Sequence, residues 1–218
     1  MIYLTDSERR IMTSLVRLTC ATRLQLAYWA DSSPSSTARQ LQRLLGHDLV
    51  EIFKATPHIY RLSPAGCRTL GERYTKRILS FSAISNLCHR NALEIDMRDS
   101  VAAAFTVLHR MDVYRRGLNP GFAEYAGTDG ALIFFCLVDD YLMGPERIKH
   151  AFNREHTPNN RHYSVQGRKL RKWRDVADRF VIATTDESRA CLYQKEIKTH
   201  QLPFDVMSIE PLWKEAAW

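Results

Sequence analysis

Residues 35–70 read SSTARQLQRLLGHDLVEIFKATPHIYRLSPAGCRTL, and the hydrophobic period changes twice along them. Leu41, Leu44 and Leu45 fall at helical spacing. A helix is therefore expected over Thr37–Leu45, capped by Ser35 or Ser36 and stopped by Gly46. Leu49–Phe53 and His58–Leu62 then read as two strands around the turn Ala55-Thr56-Pro57. Ser63-Pro64-Ala65 opens a further helix, with proline at its first position. Upstream, Thr5 and Glu8 form a capping-box pattern ahead of Ile11, Leu15 and Leu18, which predicts a helix over residues 6–18. Thr22 caps a second, short helix bearing Leu24, Leu26, Ala27 and Tyr28, and residues 31–35 read as a turn. The expected order is helix, helix, helix, hairpin, helix.

That order, with the segment quoted, is similar to the winged helix-turn-helix superfamily, in which a recognition helix, a hairpin wing and a closing helix follow one another. A major groove admits one helix. Ser36, Thr37, Arg39, Gln40 and Arg43 are read on the non-core face of the third helix. Arginine can address guanine edges and glutamine adenine edges. Lys54, His58, Tyr60 and Arg61 on the wing would meet phosphates or the adjacent minor groove.

The charge distribution agrees with a polyanionic partner. The chain of 218 residues carries a net charge of +7. Residues 1–79 hold twelve Lys/Arg against six Asp/Glu, and residues 147–174 hold nine against one. In the second run, Tyr163 and Trp173 lie among cations that include Arg168, Lys169, Arg171 and Lys172, a mixture suited to backbone and unstacked bases. The five cysteines are widely spaced with no C-x-x-C, so reduced thiols in a cytoplasm are expected rather than a disulfide scaffold or a zinc ribbon. No apolar run is long enough for a membrane span, and the first residues lack a signal-peptide pattern. A P-loop, a G-x-S-x-G elbow and a His-x-His pair are all absent.

The second half is expected to be a separate α/β domain with a mixed central sheet, giving domains over 1–79 and 85–218 and an α+β chain overall. Residues 72–84 read as a connector, and Ser85–Phe105 as one long helix carrying His89 and Glu94. Strands are expected at Met111–Arg115, Phe122–Tyr125, 131–140, Arg179–Thr184 and Phe204–Met207, with helices at Pro145–Arg154 and Glu187–His200. The run ALIFFCLVDD is apolar without alternation, which means burial on both faces. It ends in Asp139 and Asp140, at the strand end where open α/β sheets gather their sites. Two carboxylates there could hold a hard cation such as magnesium.

The succession of a winged helix, a helix with His89 and Glu94, a strand with an acidic end, PERIKHAF (145–152) and RFVIATTDESRACLYQKEI (179–197) resembles the replication-relaxation family, which includes MOBC-type plasmid mobilisation proteins. The resemblance implies a second domain like the PD-(D/E)xK nucleases. It places helix residues on His89 and Glu94, a carboxylate on Asp139, and a cation on Arg147 or Lys149. It also puts Gly121 and Leu137 where the family pattern has carboxylates. The expectation is a DNA-binding protein of a mobile genetic element whose nuclease-like domain has lost its chemistry and needs no cofactor. The second reading is a metal-dependent nicking endonuclease that uses His89, Glu94, Asp139, Asp140 and Lys149, with magnesium or manganese on Glu94 and Asp139. The third is a protein-docking adaptor. The implied partners are duplex DNA, other proteins of a DNA-processing complex and a second copy of the chain, with no membrane.

Overall fold

The computed structural model describes residues 3–53, 58–74, 80–121, 123–139, 144–155 and 171–209. It is a mixed α/β protein that divides into two units between Ile95 and Asp96.

In the N-terminal unit, α1 (Asp6–Leu18) begins at the expected capping box, and β1 (Ala21–Thr22) leads into α2 (Arg23–Trp29), capped by Thr22. The third helix, α3 (Pro34–Gly46), starts earlier than the sequence suggests. Ser33 caps it, and Pro34 takes a position in its first turn, where a missing N–H costs nothing, instead of sitting in the preceding turn. The strands β2 (Val50–Phe53) and β3 (Ile59–Leu62) pair antiparallel, and β1 joins the other side of β3, so the sheet order is β1-β3-β2. A last short helix, α4 (Pro64–Leu70), packs so close to the start of the hairpin that a Cβ on Gly66 would lie 2.0 Å from the Leu49 carbonyl oxygen. Only glycine fits there. Ile11, Leu15, Leu18, Leu26, Leu41, Leu44 and Leu49 form the core.

The long helix α5 (Phe81–Ser100) displaces the expected boundary between domains. Residues 81–95 belong to the N-terminal unit. Asn91 Nδ2 donates to the Cys20 carbonyl (2.8 Å), Arg90 Nη2 to the Leu18 carbonyl (3.3 Å), and Gln25 Nε2 to the Cys88 carbonyl (2.7 Å). The end of α1 leaves carbonyls that the helix itself cannot satisfy, and α5 supplies donors to them. Burying those side chains also requires these bonds, because an unpaired buried amide is costly.

The second unit is a five-stranded sheet in the order β4-β5-β6-β7-β8. Its strands are β4 (Thr106–Val107), β5 (Glu124–Thr128), β6 (Ile133–Val138), β7 (Arg179–Thr184) and β8 (Phe204–Ser208). The pairs β4–β5 and β5–β6 are antiparallel, while β6–β7 and β7–β8 are parallel. Two crossover helices join the parallel strands: α7 (Arg147–Asn153) follows β6, and α8 (Glu187–His200) follows β7. Met111–Arg115, expected as a strand, lies in the helix α6 (Arg110–Arg115), which turns Val113 inward and pairs Asp112 with Arg115 across one turn. The long helix ends at Ser100 rather than near Phe105, and the latter packs edge-on against Phe134. On the opposite face Phe135 stacks on Trp173 with centroids 4.5 Å apart, beside Phe180 and Phe204. This double burial explains the unbroken apolar run of β6.

Candidate nucleic-acid interface and acidic clusters

The buried stripe of α3 is Thr37, Leu41 and Leu44, and the opposite stripe holds the exposed residues Ser35, Arg39, Gln42, Arg43 and Gly46. Thr37 is therefore a core residue and not a surface donor, which corrects its expected role: it opens the 37–41–44 period that docks the helix. Gln42, absent from the expected set, stands on the exposed stripe. Gln40 is half-buried at the flank and donates from Nε2 to Ser36 Oγ (3.2 Å), so these two side chains hold each other. Counting the stripe from Thr37 rather than from Leu41 would have found Gln42 in the sequence.

The hairpin also departs from expectation. Tyr60 is buried in the core of the unit, so it is no wing contact. Arg61 stands opposite Glu51 in the β2–β3 register, is hydrogen-bonded to it, and lies over the Phe53 ring at 4.4 Å. Its guanidinium is thus held along the hairpin by an anion and an aromatic face. His58 is exposed, and Lys54 lies outside the described residues.

The expected nuclease residues fall in both units. His89 and Glu94 are buried on the part of α5 that belongs to the N-terminal unit. Arg17 Nη2 reaches Glu94 Oε1 at 2.5 Å, and its guanidinium lies 4.0 Å from the centroid of the Trp29 ring. Asp139 belongs to the second unit, just beyond the carboxyl end of β6. Its side chain has no exposed surface. Arg189, on the first turn of α8, grips both of its oxygens, through Nε and through Nη2 (3.0 Å). Thr184 Oγ1 donates to the same carboxylate at 3.3 Å. Arg189 Nη2 also donates to the Tyr193 hydroxyl (3.2 Å). Burial, then the negative Asp139, push the Tyr193 hydroxyl up to about 12, and the bond to Asp139 raises Arg189 above its ordinary value. Lys149 is exposed on α7, Arg147 is half-buried, and Asp140 lies outside the described residues.

A second carboxylate escaped sequence reading. Glu124 is buried on β5, where it stands opposite Leu137. It accepts from Arg154 Nη2 (2.6 Å), Trp173 Nε1 (3.1 Å) and the Gly121 backbone N–H (3.0 Å). A Cβ on Gly121 would come within 2.9 Å of Glu124 Oε1, so the glycine makes room for this carboxylate. Because β5 runs against β6, Glu124 and Asp139 come to the same end of the sheet. No sequence signal marked Glu124, since its arginine and tryptophan partners are 30 and 49 residues away.

Among the described residues, no three of His, Cys, Asp and Glu gather where they could hold a metal ion. In the basic run, Arg171 is exposed, Lys172 Nζ lies 3.2 Å from Glu155, and Arg168 and Lys169 lie outside the described residues. No described helix is long and apolar enough to cross a membrane. Set against known proteins, the chain matches no family model, and no curated protein matches it.

Proposed function

We propose that the chain binds duplex DNA as a winged helix-turn-helix protein, with α3 in the major groove and the β2–β3 hairpin as the wing. The observation that carries this reading is the exposed stripe of α3, on which Arg39, Gln42 and Arg43 stand together with the small residues Ser35 and Gly46. Long donors between small residues let a helix enter a groove closely and reach base edges. The excess of cations in the first third of the chain supports the same partner.

In this reading the chain works without phosphodiester chemistry. Glu94 and Asp139, the carboxylates that the family resemblance assigns to a metal, are each neutralised by an arginine. The sequence resemblance to the replication-relaxation family supports a role in transfer, replication or transcription of a mobile element, alongside other DNA-processing proteins or a second copy of the chain. Metal-dependent nicking is the second reading. One observation favours it, the placement of Glu124 and Asp139 at the same end of neighbouring strands. A metal would have to displace Arg154 and Arg189 from them.

The test uses a supercoiled plasmid carrying a duplex that the full chain has selected from a randomised library. A shifted, intact plasmid in magnesium and in manganese is the expected result. Nicked product that disappears in Asp139→Ala selects the second reading. Failure to select or shift any duplex overturns the DNA-binding reading.

A further inference from the structure

We infer that Glu8, on α1, is a positioning residue that sets DNA specificity by holding Arg43 of α3 in a reading pose. The inference rests on the DNA-binding reading above and goes beyond it, because Glu8 itself would touch no base.

Glu8 is the inner member of the α1 capping box. Its Oε2 accepts from the Thr5 backbone N–H (2.8 Å) and from Thr5 Oγ1 (2.9 Å). Capping an exposed helix end needs no more than that, and glutamine serves equally well. Here the carboxylate is only 2% exposed, and its other oxygen, Oε1, lies 3.3 Å from Arg43 Nε. A charge so deeply buried needs a counter-charge. The partner is an arginine whose side chain remains 57% exposed. The contact is therefore lopsided. One end of the pair is fixed in the unit by α1, and the other projects from the helix proposed to meet DNA.

The chemistry of guanidinium gives this arrangement a use. Arg43 has a planar fork of five N–H donors. Engaging Nε from the protein side directs the terminal Nη groups outward, where they match the two acceptors on a guanine edge, O6 and N7. A long side chain already held by Glu8 also gives up less freedom when it binds. Among the described residues, no carboxylate pairs with Arg39 on the same stripe.

The experiment compares full-length variants on two probes, the library-selected duplex and a scrambled duplex of the same composition. Glu8→Gln keeps an acceptor for Thr5 but loses the charge that holds Arg43. It should weaken binding to the selected duplex about tenfold while changing the scrambled duplex less than about twofold, the scale of one pre-ordered side chain. In an Arg43→Ala background, Glu8→Gln should have no further effect on the ratio between the two probes. Arg43→Lys, which keeps the ion pair and the fold but lacks the fork, should lose the same discrimination. Equal weakening on both duplexes by Glu8→Gln, additive effects in the double variant, or full discrimination by Arg43→Lys would each overturn the inference. If Arg39→Ala weakens the selected duplex while Glu8→Gln and Arg43→Lys leave it unchanged, this inference fails and DNA binding by α3 stands. If Arg39→Ala also changes nothing, base reading by α3 fails with it, and failure to select any duplex at all would overturn DNA binding itself.

Discussion

The exposed face of α3 and the buried carboxylate pairs treat charge in opposite ways, and both kinds of arginine occur in the N-terminal unit, where Arg17 meets the buried Glu94. The N-terminal unit leaves Arg39 and Arg43 projecting from one helix face, anchored at most by a single carboxylate. The second unit draws two arginines onto buried carboxylates, Arg154 onto Glu124 and Arg189 onto Asp139, and closes each pair with further hydrogen bonds. The residue types are the same and their uses differ. An exposed, lightly tethered arginine costs little to aim at a phosphate or a base. One locked on a buried carboxylate is part of the fold, and removing either partner leaves a charge in a dry site. Counts of charge along the sequence therefore say less about function than the partner each charge has found.

The largest effect should come from breaking the pair at the end of β6. Asp139→Ala leaves Arg189 without its anion and should cost about 3–5 kcal/mol of folding stability, read by urea denaturation. A loss below about 1 kcal/mol would mean that the pair is dispensable, and the contrast between the two kinds of arginine would weaken.

The next largest effect concerns Gly121, where the family pattern would place a carboxylate. The new Cβ of Gly121→Asp would crowd Glu124 Oε1, and its charge would sit beside a carboxylate that is already buried. The substitution should destabilise by about 1–3 kcal/mol and so fail to rebuild a site. A stable Gly121→Asp variant that gains a divalent ion in calorimetry would move the second unit back toward the nuclease reading.

A smaller effect lies in alkaline solution. The Tyr193 hydroxyl is pushed up to about 12 in the folded chain, above its ordinary value of 10.0. The unfolded chain therefore loses this proton first, and stability should fall as pH rises from about 10 towards 12. Tyr193→Phe should flatten that part of the pH–stability curve, and an unchanged slope would contradict the assignment. Smallest of all should be Arg61→Ala. Glu51 and Phe53 hold this guanidinium along the hairpin, so its loss should change DNA affinity and stability by less than about 1 kcal/mol each. A larger loss of affinity would put Arg61 back among the wing contacts.

Local signals carried much of the fold. Thr5 and Glu8 marked the start of α1, Ser63 and Pro64 that of α4, and the unbroken apolar residues of β6 marked the centre of the sheet. Phase and pairing were harder to read. The helical period of α3 was visible, but whether Thr37 began the buried stripe depended on how α3 docks against the rest of the unit. In the hairpin, alternation left open which face of β3 would take Tyr60 inward. The boundary inside α5 was hidden because Gln25, Arg90 and Asn91 find their partners 63 to 72 residues away. The candidate site followed the same rule. Arg39 and Arg43 were found by their spacing on one helix, whereas Glu124 and the arginine grips on Glu94 and Asp139 depend on contacts between distant segments.

Base reading by α3 is tested by fluorescence anisotropy of the full chain and of Arg39→Ala on the selected duplex and on its scrambled counterpart at one fixed salt concentration. Arg39→Ala should lose about 1–3 kcal/mol on the selected duplex and almost nothing on the scrambled one. Equal losses on both, or none on either, would contradict base reading.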